Sequence, residues 1–135
     1  YEEGLHLNTF GGMADTSAFL EFLTNFFSGI DANDLLGQLN TWQNGDIGKH
    51  ELFGGDTNAA LANIKCPALV MPSATDLSFP ARNNIPEVAA MPNAELKVIQ
   101  NKTGHFAGSL SLALTTEEVI TFTDNEIKKL LKSIG

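Results

Sequence analysis

Pro67 introduces the run Ala68-Leu69-Val70-Met71, and Pro72 closes it. A short, continuous apolar run of this kind suits a strand buried on both faces of a parallel sheet, because a strand with one wet face would alternate. A second strand is predicted over Glu95 to Gln100, where Leu96 and Val98 alternate with Lys97. Between them, Pro86 fits the first turn of a helix continuing through Val88 and Met91, where its fixed φ and missing N–H are tolerated; Pro92-Asn93 ends it. Two strands joined through a helix run parallel, and a parallel pair needs cover on both faces and pairing at both edges. Two strands do not supply that, so they are expected to belong to a larger sheet whose other members lie N-terminal to Tyr1 or on another chain. The opening Tyr1-Glu2-Glu3-Gly4 has no initiator Met and reads as a chain that begins mid-protein or as a processed one.

Helices are predicted on both sides of this unit. Asp15, Thr16 and Ser17 are candidate caps for a helix in which Phe19, Phe22, Leu23, Phe26 and Phe27 share a face, before Ser28-Gly29 stops it. Asp31 to Asn33 can cap a second, with Leu35, Leu36, Leu39 and Trp42 on one side and Gly45 at its end. Gly45 to Gly55 reads as a loop, and Asp56 caps a short helix through Leu61 and Ile64. At the far end, Thr115 and Glu118 form a capping box for a helix whose apolar face is Ile120, Ile127, Leu130, Leu131 and Ile134. Glu117 and Glu118 sit at its positive end and Lys128, Lys129 and Lys132 towards its negative end, as the macrodipole favours.

Composition narrows the partners. The 135 residues carry a formal net charge of −8, which repels phosphate backbones and anionic headgroups, so neither nucleic acid nor a membrane surface is expected. No apolar run approaches the ~20 residues needed to span a bilayer. The single cysteine, Cys66, closes no internal disulfide and is expected as a small buried residue at a strand start; with no cysteine and histidine cluster, no metal site is expected. A cytoplasmic location follows as an expectation.

Two residues could carry chemistry. Asp76 follows the first strand in Ser73-Ala74-Thr75-Asp76-Leu77-Ser78-Phe79-Pro80, and His105 follows the second in Thr103-Gly104-His105-Phe106-Ala107-Gly108. Each alone has an ordinary reading, as a turn residue or a surface imidazole. Together they emerge at the carboxyl ends of adjacent parallel strands, the edge where open α/β sheets bind ligands. An Asp that fixes the tautomer of a His is two-thirds of a hydrolytic triad. The third member is absent: no G-x-S-x-G occurs, and Ser17, Ser28, Ser73, Ser78, Ser109, Ser111 and Ser133 each lack a strand-to-helix elbow. His6 and His50 have no ligands at metal spacing. The Phe-rich helix reads as core, or as a lid lining an acyl pocket.

These segments resemble a known family. Asp31-Ala32-Asn33-Asp34-Leu35-Leu36 with Thr41-Trp42-Gln43-Asn44-Gly45-Asp46-Ile47 is similar to the helical lid of homoserine O-acetyltransferase-like α/β-hydrolases. Ile64 to Pro72, then Thr75 to Pro80, resembles their penultimate strand and acid loop, and Gly104 to Gly108 their histidine loop. The resemblance runs from about residue 19 to 134. It implies an α/β chain, the C-terminal part of an α/β-hydrolase fold: residues 1–63 would be helical lid and return helix, and residues 64–135 the last two parallel strands with their helices. Asp76 would be the triad acid and His105 the general base, with Trp42, Phe79 and Phe106 as substrate-binding walls. The serine and the oxyanion donors would come from the missing N-terminal half of the fold or a partner chain.

One departure bears on substrate. Homoserine acetyltransferases usually place an acidic residue directly after the base to meet the substrate ammonium; here Phe106 stands there. An apolar neighbour cannot pair a buried cation, so an uncharged small-molecule ester or acyl group is expected, cleaved or transferred. No cofactor is expected, acetyl-CoA entering only as co-substrate of a transferase. The alternatives are a piece of a homoserine O-acetyltransferase and a non-catalytic binding module derived from the same framework.

Overall fold

The computed structural model describes residues 15–109 and 115–134. Its elements follow in order: α1 (Thr16–Ser28), α2 (Ala32–Asn44), a 3₁₀ turn (Ile47–Lys49), α3 (Thr57–Ala62), β1 (Ala68–Val70), α4 (Ala81–Ala90), β2 (Ala94–Leu96), a second 3₁₀ turn (Gly104–Gly108) and α5 (Glu117–Ser133).

Short polar side chains start the first helices by satisfying otherwise orphaned amides. Asp15 accepts from Ala18 N at 2.9 Å, Asp31 from Asn33 N at 2.7 Å, and Asp56 from Ala59 N at 2.9 Å. Asp46 serves two elements: its Oδ1 accepts from Gly48 N at 2.8 Å and from the Thr57 hydroxyl at 3.0 Å. The first 3₁₀ turn is thereby pinned to the start of α3. Gly48 lies buried at that junction, where a Cβ would sit 2.6 Å from Thr57 N and 2.9 Å from both Asp56 C and Thr57 Cα. Those are backbone atoms that cannot swing aside. Gly48→Ala is therefore expected to destabilise the fold by about 1–3 kcal/mol, read as a lower midpoint in urea unfolding. An unchanged midpoint would show that the junction can open at little cost.

β1 and β2 pair in parallel, Ala68 opposite Ala94 and Val70 opposite Leu96. The register survives Pro72, because an isolated parallel bridge joins Ser73 to Ile99. Ile99 N donates to Pro72 O at 2.8 Å and Ala74 N to Ile99 O at 2.9 Å. The two chains thus stay side by side beyond the regular strands, up to the loops that hold Asp76 and His105. The core is small: Ile99, Ala107 and Val119 are buried, with Met71 and Phe122 packed against them.

Several expectations need correction. Pro86 is interior to α4, which starts after Pro80. An interior proline forfeits the bond to the carbonyl four residues back, here that of Arg82. Arg82 is exposed, where water can take over that carbonyl. Within this chain β1 is half-buried, the expectation of burial on both faces having concerned a larger sheet. Cys66 is exposed, one residue before the exposed Pro67. α3 stops at Ala62, leaving Ile64 outside it. Thr116, not Thr115, caps α5, accepting from Val119 N at 3.4 Å. The face of α5 turned inward carries Val119, Phe122, Thr123 and Glu126, while Ile127, Leu131 and Ile134 stay exposed. On α1 only Phe19 is buried; Phe22, Phe26 and Phe27 are exposed, Phe26 stacking on Phe22 and meeting Phe27 edge to face.

Candidate active site

The shared register delivers Asp76 and His105 to the same end of the strand pair, and their side chains meet. His105 Nδ1 lies 2.9 Å from Asp76 Oδ2. The other carboxylate oxygen, Oδ1, accepts from Ser78 N at 2.8 Å and Phe79 N at 3.0 Å. Burial by itself would raise the pKa of Asp76. The Phe79 amide, the His105 ring and the Ser78 amide together outweigh it and hold the carboxyl below the ordinary carboxylate range. Asp76 is then an ionised acceptor, so Nδ1 of His105 must carry the hydrogen. In the neutral ring that leaves the lone pair on Nε2.

Exposure divides the pair by role. The Asp76 side chain is 8% exposed and that of His105 56% exposed. The acid is sunk in the protein and the imidazole stands proud of it. A row of rings continues outward: Phe79 lies 5.4 Å from His105 and Phe106 6.2 Å, centroid to centroid, and Trp42 reaches across from α2 to within 5.7 Å of Phe79, edge to face. All three expected wall residues therefore border His105, directly or through one another. They form an open surface. Among the described residues, one cleft of about 440 Å³ runs along α5 beside Phe122 and Lys132, and another of about 310 Å³ lies at the amino ends of the strands, beside Pro67 and Asn93.

Backbone geometry turns the imidazole towards the carboxylate. Gly104 has φ +58°, a left-handed conformation that costs a residue with a Cβ about 1–2 kcal/mol. The 3₁₀ turn that begins there carries His105 back over the acid loop. Around it runs a polar network that the sequence reading did not single out, built from Ser73, Thr75, Asn101 and Thr103. His50 lies outside the site, its Nδ1 accepting from Leu52 N at 3.2 Å. His6 falls outside the described residues. Among the described residues, no group of three or more His, Cys, Asp and Glu could hold a metal ion, and no helix is long and apolar enough to cross a membrane.

Two solved structures share the fold of this chain. The chain superposes on an acetylester hydrolase from Corynebacterium glutamicum with a TM-score of 0.81 at 33% identity. It superposes on the acetyl esterase MekB with a TM-score of 0.81 at 29% identity, each time over 98% of this chain and 36% of the other. The chain carries the C-terminal part of an α/β-hydrolase fold. Among relatives by sequence, a probable esterase of C. glutamicum is 38% identical over 117 residues, 87% of this chain and 32% of that protein. An ethyl acetate hydrolase of Pseudomonas veronii is 32% identical over 112 residues, 83% of this chain and 30% of that protein. The chain spans about a third of the length of the curated relatives it matches. No family model matches it.

Proposed function

We propose that these residues supply the acid and base of a serine-dependent hydrolase of small, uncharged esters, and that the nucleophile and oxyanion donors come from outside the 135 residues. The observation that carries the reading is the 2.9 Å contact between a sunken carboxylate and an exposed imidazole at the carboxyl edge of parallel strands. In this mechanism His105 Nε2 takes the proton of a serine hydroxyl as its oxygen attacks the ester carbonyl. The imidazolium, stabilised by Asp76, returns that proton to the departing alcohol. His105 then deprotonates a water that attacks the acyl-serine, releasing the carboxylic acid and regenerating the serine. Asp76 keeps its negative charge throughout.

The aromatic row supports an uncharged substrate. Trp42, Phe79 and Phe106 present ring faces and edges around His105 and no carboxylate for an ammonium group. We therefore read the likeness to homoserine O-acetyltransferases as one of framework rather than of substrate. The relatives' own descriptions, as an ethyl acetate hydrolase and an acetylester hydrolase, favour short acyl groups. The chemistry asks for no metal or redox cofactor, and acetyl-CoA would be needed only if the acyl group were transferred.

The direct test is hydrolysis of p-nitrophenyl acetate by residues 1–135 alone and by the same chain combined with a serine-bearing N-terminal complement. Turnover is expected only from the combination, since losing one oxyanion donor alone costs about 10²–10³-fold in kcat. Turnover by the isolated chain that His105→Ala abolishes would place the nucleophile within it and overturn this reading.

A further inference from the structure

We infer that Thr75 is a positioning residue that sets the contact between Asp76 and His105, through a hydroxyl strap joining the residue before the acid to the residue before the base. The inference rests on the acid and base roles proposed above. Asp76 and His105 sit on separate loops, and a contact between two loops is only as well defined as the loops' mutual placement. The Thr75 hydroxyl spans that gap. It donates to Asn101 O at 3.1 Å and accepts from Gly104 N at 3.1 Å, so one oxygen grips the base loop on both sides of its turn.

Asn101 stiffens the loop that is gripped. Its Nδ2 donates to Ser73 Oγ at 3.1 Å and to Ile99 O at 3.0 Å, while its Oδ1 accepts from Thr103 N at 2.7 Å and the Thr103 hydroxyl at 3.0 Å. Ser73 is buried, and its Oγ also accepts from Thr75 N at 3.3 Å. The acid loop and the base loop are thus laced together twice, at Ser73 with Asn101 and at Thr75 with Asn101 and Gly104. The second lacing lies one residue from both functional side chains. Thr75 itself is exposed, so its hydroxyl is not needed to fill the core.

Removing the hydroxyl while keeping the shape isolates this role. In the full-length protein, Thr75→Val is expected to lower kcat for p-nitrophenyl acetate by about 10- to 100-fold with KM within about twofold, the scale of a small misplacement of reacting groups. Thr75→Ser, which restores the hydroxyl, is expected to recover most of the loss. In an Asp76→Asn background, where the contact no longer keeps the hydrogen on Nδ1, Thr75→Val is expected to cost little more. An undiminished kcat, an equal loss in both backgrounds, or failure of Thr75→Ser to recover would each overturn the inference. The downfield proton resonance of His105 Nδ1–H gives a reading independent of turnover: it should persist in Thr75→Ser and broaden or vanish in Thr75→Val, and its persistence in Thr75→Val would also count against the strap. Full turnover in both Asp76→Asn and His105→Ala would instead remove the proposed function, leaving the resonance to judge the strap by itself.

Discussion

His105→Ala is expected to reduce kcat for p-nitrophenyl acetate by roughly a millionfold in the full-length protein, the cost seen when the base of a serine hydrolase is removed. The loss should appear without collapse of the fold. The ring is more than half exposed, and the carboxylate it leaves behind keeps its two amide donors, Ser78 N and Phe79 N. The check is steady-state kinetics beside a thermal unfolding curve. A variant that keeps its unfolding midpoint and its turnover would show that the imidazole is not the base.

Asp76→Asn should cost about 10⁴-fold in kcat, for a different reason. The amide of Asn can still offer its oxygen to Ser78 N and Phe79 N, but it then presents NH₂ to His105. Nδ1 must become an acceptor, the hydrogen moves to Nε2, and the base has no lone pair where one is needed. The same variant should change the acid limb of stability. The carboxyl of Asp76 is held below its ordinary value, so the unfolded state binds this proton more readily than the native one. Its stabilising contribution is fully present above the unfolded value of about 4 and disappears as the pH falls through the lower native one. Urea midpoints measured from pH 6 down to pH 2 should therefore fall more steeply for the parent than for Asp76→Asn. Parallel curves would mean that the carboxyl titrates alike in both states.

What could be read in advance depended on whether a signal was local. Asp15, Asp31 and Asp56 announced their helices because a cap acts within three residues of itself. The α4 helix was placed too late because Pro86 suggested a first turn, whereas Pro80 precedes the true start and the forfeited bond falls on exposed backbone. In α5 the apolar residues occupy a wide arc. Which stripe of that arc meets the strands is decided by packing, and the stripe holding Thr123 and Glu126 won over the one holding Ile127 and Leu131. Exposure of Cys66 escaped notice for the same reason, since a residue's chemistry reports what a position tolerates and not what covers it. The meeting of Asp76 and His105 was legible because strand order alone brings their loops to one edge. Thr75 and Asn101 were not: hydroxyl and amide side chains in loops are common, and only coordinates reveal that these span between the two.

Phe79 contributes to the site twice, through its amide to Asp76 and through its ring beside His105. Only the second contribution depends on which side chain stands there. Any residue but proline would still offer the amide, so the anchoring of the acid is insulated from changes at this position. On the proposed reading, the ring at this position can accordingly be exchanged, larger or smaller, greasier or more polar, while the amide contact that anchors Asp76 stays in place. On that same reading, position 79 is the natural place to redirect this scaffold towards other acyl chains.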